Sequence, residues 1–247
     1  MTPTSSSNIV EIRGLTRRFG GLVANRDVTM DIRHGEILGL IGPNGAGKST
    51  LFNQIAGAFP PSSGEIRFEG REISRLPGTQ RCLLGIARTF QVPRSFDSMT
   101  VVENVMVGSF VRHSAARAAR AAAWQTLDYV GMADRGESPA GELTPPEKRR
   151  LEMARALATQ PRILLLDEVL TGLTPSEAQQ GVELVRRVRD SGVTVVMVEH
   201  VMEIVMPLVD RAVVLHLGQV LAEGPPKDVV RQDSVITAYL GERHRAA

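Results

Sequence analysis

The sequence predicts an α/β fold in which a mostly parallel sheet is covered by helices. Short apolar runs, typical of strands buried on both faces, occur at residues 37–41, 163–166, 193–198 and 212–217. A helical pattern at residues 176–190 separates two of these runs, and this alternation is typical of β-α-β units. A glycine-rich loop follows the first run directly.

The remaining elements can be predicted in order along the chain. Alternating apolar and polar residues at 9–13, 28–32 and 65–69 predict an antiparallel sheet. The spacing at residues 48–58 predicts a helix that ends at Gly57 and at the prolines that follow. From about residue 99 to residue 131 the pattern is helical without a strand, and the alanine-rich run within it favours helix strongly. We therefore expect a helical subdomain inserted into the α/β core.

These elements predict one domain spanning residues 8–247. The predicted parts are an α/β core at 8–88 and 151–224, a helical subdomain at 89–150, a helical C-terminal tail at 225–247, and a disordered tail at 1–7.

Composition narrows the classes of function. The chain has 247 residues, of which 43% are hydrophobic, enough for a sizeable core. The chain has 29 Lys and Arg residues and 27 Asp and Glu residues, so its formal net charge is only +2. This small charge gives no reason to expect nucleic acid as a partner. The single cysteine, Cys82, excludes an internal disulfide and fits a reducing compartment.

The apolar stretch 193–217 is interrupted by charged residues, which argues against a transmembrane helix. We expect a cytoplasmic protein that reaches a membrane only by docking to another chain.

The glycine-rich loop is the strongest chemical signal. It reads Gly42-Pro-Asn-Gly-Ala-Gly-Lys48-Ser49, a complete Walker A motif between a predicted strand and a predicted helix. Its glycines allow backbone N–H groups to surround phosphate oxygens, while Lys48 neutralises the phosphates and the Ser49 hydroxyl binds Mg²⁺. The sequence thus predicts ATP and Mg²⁺ as ligands. The predicted phosphate-binding residues are Gly42, Pro43, Asn44, Gly45, Ala46, Gly47, Lys48, Ser49 and Thr50.

Acidic residues follow a second buried strand. Asp167 and Glu168 come directly after residues 163–166. We expect Asp167 to hold Mg²⁺ and Glu168 to orient the attacking water. His200 follows the predicted strand at 193–198, where an imidazole can reach a γ-phosphate.

The order of the motifs resembles that of ATP-binding cassette (ABC) proteins over residues 8–242. The order is Walker A, Gln91, a signature segment at 143–147, the Walker B motif at residues 163–168, and His200. Four further segments resemble the ATP-binding subunits of branched-chain amino-acid importers: residues 18–21, 85–91, 99–104 and 235–241. The resemblance implies a P-loop NTPase core of the RecA-like type.

The resemblance also implies roles for single residues. Phe19 corresponds to the aromatic residue that stacks on adenine in this family. Glu168 corresponds to the catalytic base. Gln91 stands where a glutamine senses Mg²⁺ and water and links the site to the membrane partner. His200 corresponds to the switch histidine, and Thr144 to a signature residue that binds the γ-phosphate of ATP held by a second subunit.

The signature segment departs from the family pattern. Where the family has Leu-Ser-Gly-Gly-Gln, this chain has Leu143-Thr-Pro-Pro-Glu147. Because proline has no N–H, two donors toward the γ-phosphate are absent, and Glu147 adds negative charge. The same residues predict a good helix start, with Thr144 as N-cap, proline at N1 and Glu147 completing a capping box. Two smaller departures are Thr174, in place of an acidic or amide residue, and Val169, in place of proline.

The resemblance implies the ATP-hydrolysing subunit of an importer for branched-chain or related amino acids, peripheral on the inner face of the plasma membrane. Its implied partners are a second ABC ATPase subunit, identical or different, two transmembrane permease subunits and, indirectly, a periplasmic or extracellular substrate-binding protein. Two alternatives stay open: the ATPase of an exporter or lipid-extraction system, and a soluble ABC ATPase without a permease.

Overall fold

The computed structural model describes residues 8–199 and 202–243, with side-chain surroundings up to residue 239. The predicted tail at residues 1–7 therefore lies outside the described part of the chain. None of the helices in these ranges is long and apolar enough to cross a membrane.

The described residues form ten strands and nine α-helices. The strands are β1 (Asn8–Phe19), β2 (Leu22–Arg33), β3 (Ile37–Ile41), β4 (Ser63–Phe68), β5 (Arg71–Glu72), β6 (Ile86–Arg88), β7 (Ile163–Asp167), β8 (Thr194–Val198), β9 (Arg211–His216) and β10 (Gln219–Gly224). The helices are α1 (Lys48–Ala56), α2 (Gly78–Leu84), α3 (Val101–Ser109), α4 (Ala116–Val130), α5 (Pro145–Leu157), α6 (Pro175–Asp190), α7 (Met202–Val205), α8 (Pro226–Val229) and α9 (Asp233–Arg243).

A six-stranded sheet forms the centre of the molecule, in the order β10-β9-β3-β8-β7-β6. All neighbouring strands in it are parallel except β9 and β10. Every residue of β3, β7 and β8 is buried, as expected for strands covered on both faces. The four strands predicted from apolar runs are thus confirmed, whereas the edge strands β6 and β10 were not predicted.

A second sheet, in the order β2-β1-β4-β5, is antiparallel. Its apolar face packs with α1 and one face of the central sheet in a single hydrophobic cluster, which includes Ile12, Phe52 and Leu165. This cluster fixes the start of α1 beside the end of β3.

Helices α3, α4 and α5 form the predicted helical region and pack on one another. Thr100 is the N-cap of α3, and its capping box with Glu103 supplies acceptors for free N–H groups at the helix start. Gly108 lets α3 approach α5 closely, because a Cβ there would lie 2.3 Å from the carbonyl oxygen of Arg155. The subdomain boundaries at residues 89 and 150 stay predictions.

Candidate nucleotide-binding site

The glycine-rich loop joins β3 to α1, and its backbone requires glycine at two positions. Gly42 has φ +146° and Gly47 has φ +97°, and a Cβ would lie 2.1 Å from the Leu215 carbonyl at the first and 2.5 Å from the Ala24 carbonyl at the second. At Gly45 a Cβ would meet no atom within 4 Å, so this side of the loop is open. The loop is therefore shaped to leave space for a ligand at the head of α1.

Lys48 is the first residue of α1, and only 8% of it is exposed. Its ammonium donates to the carbonyl oxygens of Gly42 at 2.6 Å and Pro43 at 2.8 Å. No acidic residue lies in the first turn of α1, so the helix dipole and the charge of Lys48 both favour an anion there. These features fit a phosphate group.

Two buried amides support the loop from behind. The Asn25 side chain donates to the Gly47 carbonyl at 3.1 Å, and the Gln54 side chain donates to Asn25 at 2.9 Å. Both residues are fully buried. Sequence reasoning missed them, because an isolated amide on a strand or helix gives no signal of its tertiary partner.

Asp167 ends β7 and is 93% shielded from solvent, with 7% exposure. Its backbone N–H donates to the Thr89 hydroxyl at 3.1 Å, which ties the end of β7 to the residue after β6. A carboxylate at Asp167 and the hydroxyl of Ser49 at the head of α1 are oxygen donors of the kind that Mg²⁺ prefers. The donor set therefore fits the predicted metal.

Glu168 leaves the strand in a left-handed conformation, with φ +54°. Its N–H is held by the Val198 carbonyl at 2.9 Å, and its carboxylate accepts a hydrogen bond from the Gln91 amide at 2.9 Å. The structure thus brings together two of the predicted catalytic residues, which lie 77 positions apart in sequence. The third, His200, lies outside the described residues.

A buried carboxylate fixes the segment that follows Glu168. Glu199 is 2% exposed and accepts hydrogen bonds from the Leu170 N–H at 2.7 Å and the Thr171 hydroxyl at 3.0 Å. Arg149 of α5 donates to the Thr171 carbonyl. Sequence reasoning missed Glu199 as a site residue, although a charged residue directly after a fully buried strand was an available signal.

The signature segment starts α5 as predicted. Thr144 is the N-cap and Pro145 occupies N1. The Thr144 N–H and hydroxyl both donate to the Glu147 carboxylate at 2.8 Å. The bond from the Thr144 backbone lowers the pKa of Glu147, and Arg135 lies 3.2 Å from its other oxygen. Glu147 therefore turns back onto its own helix start, and the Thr144 hydroxyl is occupied by it.

The same arrangement occurs at the start of α6. Leu173-Thr-Pro-Ser-Glu177 repeats the Leu-Thr-Pro-x-Glu pattern, and the Thr174 N–H and hydroxyl donate to Glu177 at 2.8 and 2.7 Å. The departure at Thr174 thus has a structural role as an N-cap.

Phe19 lies at the end of β1 with 43% exposure. Its ring meets Phe59 edge to face, with 5.4 Å between ring centroids, and the Arg17 guanidinium lies 4.5 Å from its centroid. The ring is held at the surface, and its contact with adenine stays a prediction.

Comparison with known proteins agrees with this geometry. The model of the ABC transporter family matches residues 25–171, and that of a branched-chain amino acid ATP-binding cassette transporter C-terminal region matches residues 219–245. The high-affinity branched-chain amino acid transport ATP-binding protein LivG of Salmonella typhimurium is 39% identical, with 96% of this chain and 99% of LivG covered. BraF of Pseudomonas aeruginosa, which carries the same description, is 40% identical with the same coverage.

Solved structures confirm the predicted fold class. A nucleotide-free ATP-binding cassette from an ABC transporter superposes with a TM-score of 0.86 at 28% identity, covering 94% of this chain and 98% of that one. The ADP conformation of MJ1267, an ATP-binding cassette of an ABC transporter, gives a TM-score of 0.86 at 29% identity, covering 95% and 99%. The chain belongs to the ABC transporter family of ATP-binding ATPase subunits.

Proposed function

We propose that this chain hydrolyses ATP to drive uptake of branched-chain or related amino acids through a membrane permease. Similarity to LivG and BraF over 96% of the chain supports the substrate class, and the family match at residues 219–245 agrees with it. The observation that carries the catalytic part is the 2.9 Å hydrogen bond between Gln91 and Glu168. It joins the proposed base to the segment proposed to contact the permease.

Each described site residue has a separate proposed role in ATP binding or hydrolysis. The loop N–H groups and Lys48 bind the β- and γ-phosphates, while Phe19 stacks on the adenine. Ser49 and Asp167 hold Mg²⁺, which neutralises charge on the phosphate oxygens when it is bound. Glu168 orients a water molecule and accepts its proton, and Gln91 fixes the direction of the Glu168 carboxylate. His200 is assigned to the γ-phosphate from the sequence motif alone.

An apolar groove beside Gln91 suits a segment of a permease. The groove has a volume of about 450 Å³ and runs between α2, β6, α3 and α5. Its lining includes two exposed apolar side chains, Phe90 at 40% and Val107 at 41% exposure. A cluster of this kind is typical of an interaction surface. We propose that this groove contacts the cytoplasmic side of the permease, so that the chain would lie on the inner face of the plasma membrane.

The second ATPase subunit is proposed to be a different chain. Pro145 and Pro146 provide no N–H to a phosphate, and the Thr144 hydroxyl is held by Glu147. A partner with an intact signature would complete the site at this chain's phosphate loop. The ATP bound to the partner would instead contact the altered signature segment of this chain. The two nucleotide sites of the pair would therefore be unequal. An extracellular or periplasmic binding protein would deliver the amino acid.

Uptake of radiolabelled leucine, isoleucine and valine tests this function. Cells that lack the chain should lose high-affinity uptake, and wild-type protein should restore it, whereas Lys48→Ala should not because the phosphate contact is lost. The chain should also purify from membranes with hydrophobic permease subunits. Unchanged uptake of these and related amino acids would contradict the proposal. Loss of lipid or solute export would favour the exporter, and a chain that purifies alone would favour a soluble ATPase.

A further inference from the structure

Asn25 of β2 lies directly behind the phosphate loop and is fully buried. Its side-chain amide donates to the Gly47 carbonyl at 3.1 Å, and the Leu51 N–H of α1 donates to the same oxygen at 3.0 Å. A Cβ on Gly47 would lie 2.6 Å from the Asn25 amide nitrogen, so only glycine leaves room for this contact. The carbonyl at the head of α1 is thus held by its own helix and by a strand of the other sheet.

The preceding carbonyl of the loop is held from the same side. The Ala46 carbonyl accepts the Gly218 N–H at 3.0 Å, and the Gly218 carbonyl accepts the Arg26 N–H at 2.8 Å. In a trans peptide the N–H points away from the carbonyl, and the described residues contain no cis peptide bond. Holding these two carbonyls from behind therefore directs the N–H groups of Gly47 and Lys48 to the opposite side. Successive N–H groups with a common direction form an anion-binding concavity.

Gln54 of α1 fixes the orientation of the Asn25 amide. Because a carbonyl oxygen can only accept, Asn25 must present its NH₂ group to Gly47 and its own oxygen to Gln54. The Gln54 amide donates to that oxygen at 2.9 Å. The side-chain oxygen of Gln54 is buried and has no hydrogen-bond partner among the described residues. Since a buried unpaired oxygen costs stability, the amide pair is not explained by stability alone.

We propose that Asn25 is a positioning residue, which is oriented by Gln54 and holds the Gly47–Lys48 peptide so that the Lys48 N–H faces the nucleotide phosphates. This inference rests on the proposed ATPase function and adds a residue from outside the phosphate-loop motif. The N-cap of α1 is Gly47, which has no side chain to fix the helix start. A tertiary contact must therefore fix it. A loop that already has its binding conformation needs no ordering when the nucleotide arrives, which favours binding.

ADP binding by the isolated chain tests the proposal, measured by isothermal titration calorimetry in the presence of Mg²⁺. Asn25→Leu removes the donor to Gly47, retains a side chain of similar shape and leaves Gln54 without its acceptor. Asn25→Leu/Gln54→Leu removes both amides, so stability should recover toward that of the wild type. The Kd for ADP should rise about tenfold in both variants, because both lose the bond to Gly47. A merely structural role would instead let affinity recover together with stability.

Asn104→Leu is the matched control. Asn104 is equally buried, but its amide donates to the carbonyls of Phe96 and Thr100, so the Kd for ADP should stay within about twofold of wild type. Wild-type affinity in the double variant would overturn the proposal, and this variant decides alone if Asn25→Leu does not fold. A wild-type chain that fails to bind ADP would count against the proposed function itself.

The direction of the Lys48 N–H has a separate readout by NMR. Saturating ADP should move the Lys48 amide proton signal of the wild type downfield, because the N–H donates to a charged phosphate. In Asn25→Leu/Gln54→Leu at saturating ADP, this change should fall below about half its wild-type size, whereas Asn104→Leu should retain it. A full downfield change in the double variant would show that Asn25 does not orient this N–H, and would overturn the proposal.

Discussion

Restoring two backbone donors in the signature segment should strengthen ATP-dependent pairing of two copies of this chain. Pro145 and Pro146 occupy the first two positions of α5, where a helix normally presents free N–H groups. In a pair of identical chains, each signature segment faces the other chain's ATP. Pro145→Gly/Pro146→Gly returns an N–H at both positions without adding a side chain.

The size of the effect follows from the two bonds. A hydrogen bond to a charged group contributes about 1.5–3 kcal/mol, so two contribute about 3–6 kcal/mol per site. Glycine costs up to about 1 kcal/mol per helical residue. The net gain is therefore about 1–4 kcal/mol per site. Since 1.4 kcal/mol is a factor of ten, the dimer Kd should fall by at least about tenfold.

Sedimentation in the presence of ATP and Mg²⁺ measures this dimer Kd. The Glu168→Gln background slows hydrolysis, so that ATP persists during the run. Pro145→Ala/Pro146→Ala separates the restored N–H groups from added flexibility and should show the same direction of change. Pro175→Gly is the matched control, because it alters the equivalent N1 position in the second Leu-Thr-Pro-x-Glu start. An unchanged dimer Kd in both doubly substituted variants would show that the missing N–H groups do not limit pairing.

Two further predictions concern stability. Arg81 is fully buried and donates to five backbone carbonyls, two of them on α1. Arg81→Met leaves these buried oxygens without that donor, so it should lower the free energy of unfolding by about 3–5 kcal/mol. Urea denaturation measures this change, and Arg117→Met at an exposed position is the control. Burial raises the pKa of Glu152 from 4.5 to about 7, so the folded chain keeps a proton that the unfolded chain releases. Between pH 4.5 and pH 7, unfolding free energy should therefore fall by about 3 kcal/mol relative to Glu152→Gln; parallel pH profiles would contradict this.

The sequence predicted the elements whose signal is local. Strands β3, β7, β8 and β9 are nearly all buried, so they read as continuous apolar runs. Strand β6 has three residues and β10 is partly exposed, so neither carries enough pattern to be distinguished from a loop. The start of α5 was readable because an N-cap is set by neighbours in sequence, whereas the N-cap role of Thr174 in α6 was not predicted.

Site residues that belong to a local motif could also be predicted, whereas those held by distant partners could not. Lys48 and Asp167 belong to contiguous motifs, in which a tight loop or a strand end requires particular residue types at fixed spacing. Asn25, Thr89 and Glu199 are fixed by partners that lie far away in the chain: Gly47, Asp167 and Leu170. Such contacts depend on how strands and loops are brought together by the fold. The sequence therefore indicates the residues that contact a nucleotide better than those that hold them in place.

We propose that hydrolysis takes place at this chain's phosphate loop, completed by the signature segment of a different partner chain. ATP turnover by the assembled transporter tests it most directly, with Glu168→Gln in this chain and, separately, the same change of the corresponding glutamate in the partner ATPase. Glu168→Gln should reduce turnover by at least about 100-fold because the base is lost. The change in the partner should leave substantial activity. Equal losses from both changes, or substantial activity in Glu168→Gln, would contradict the account.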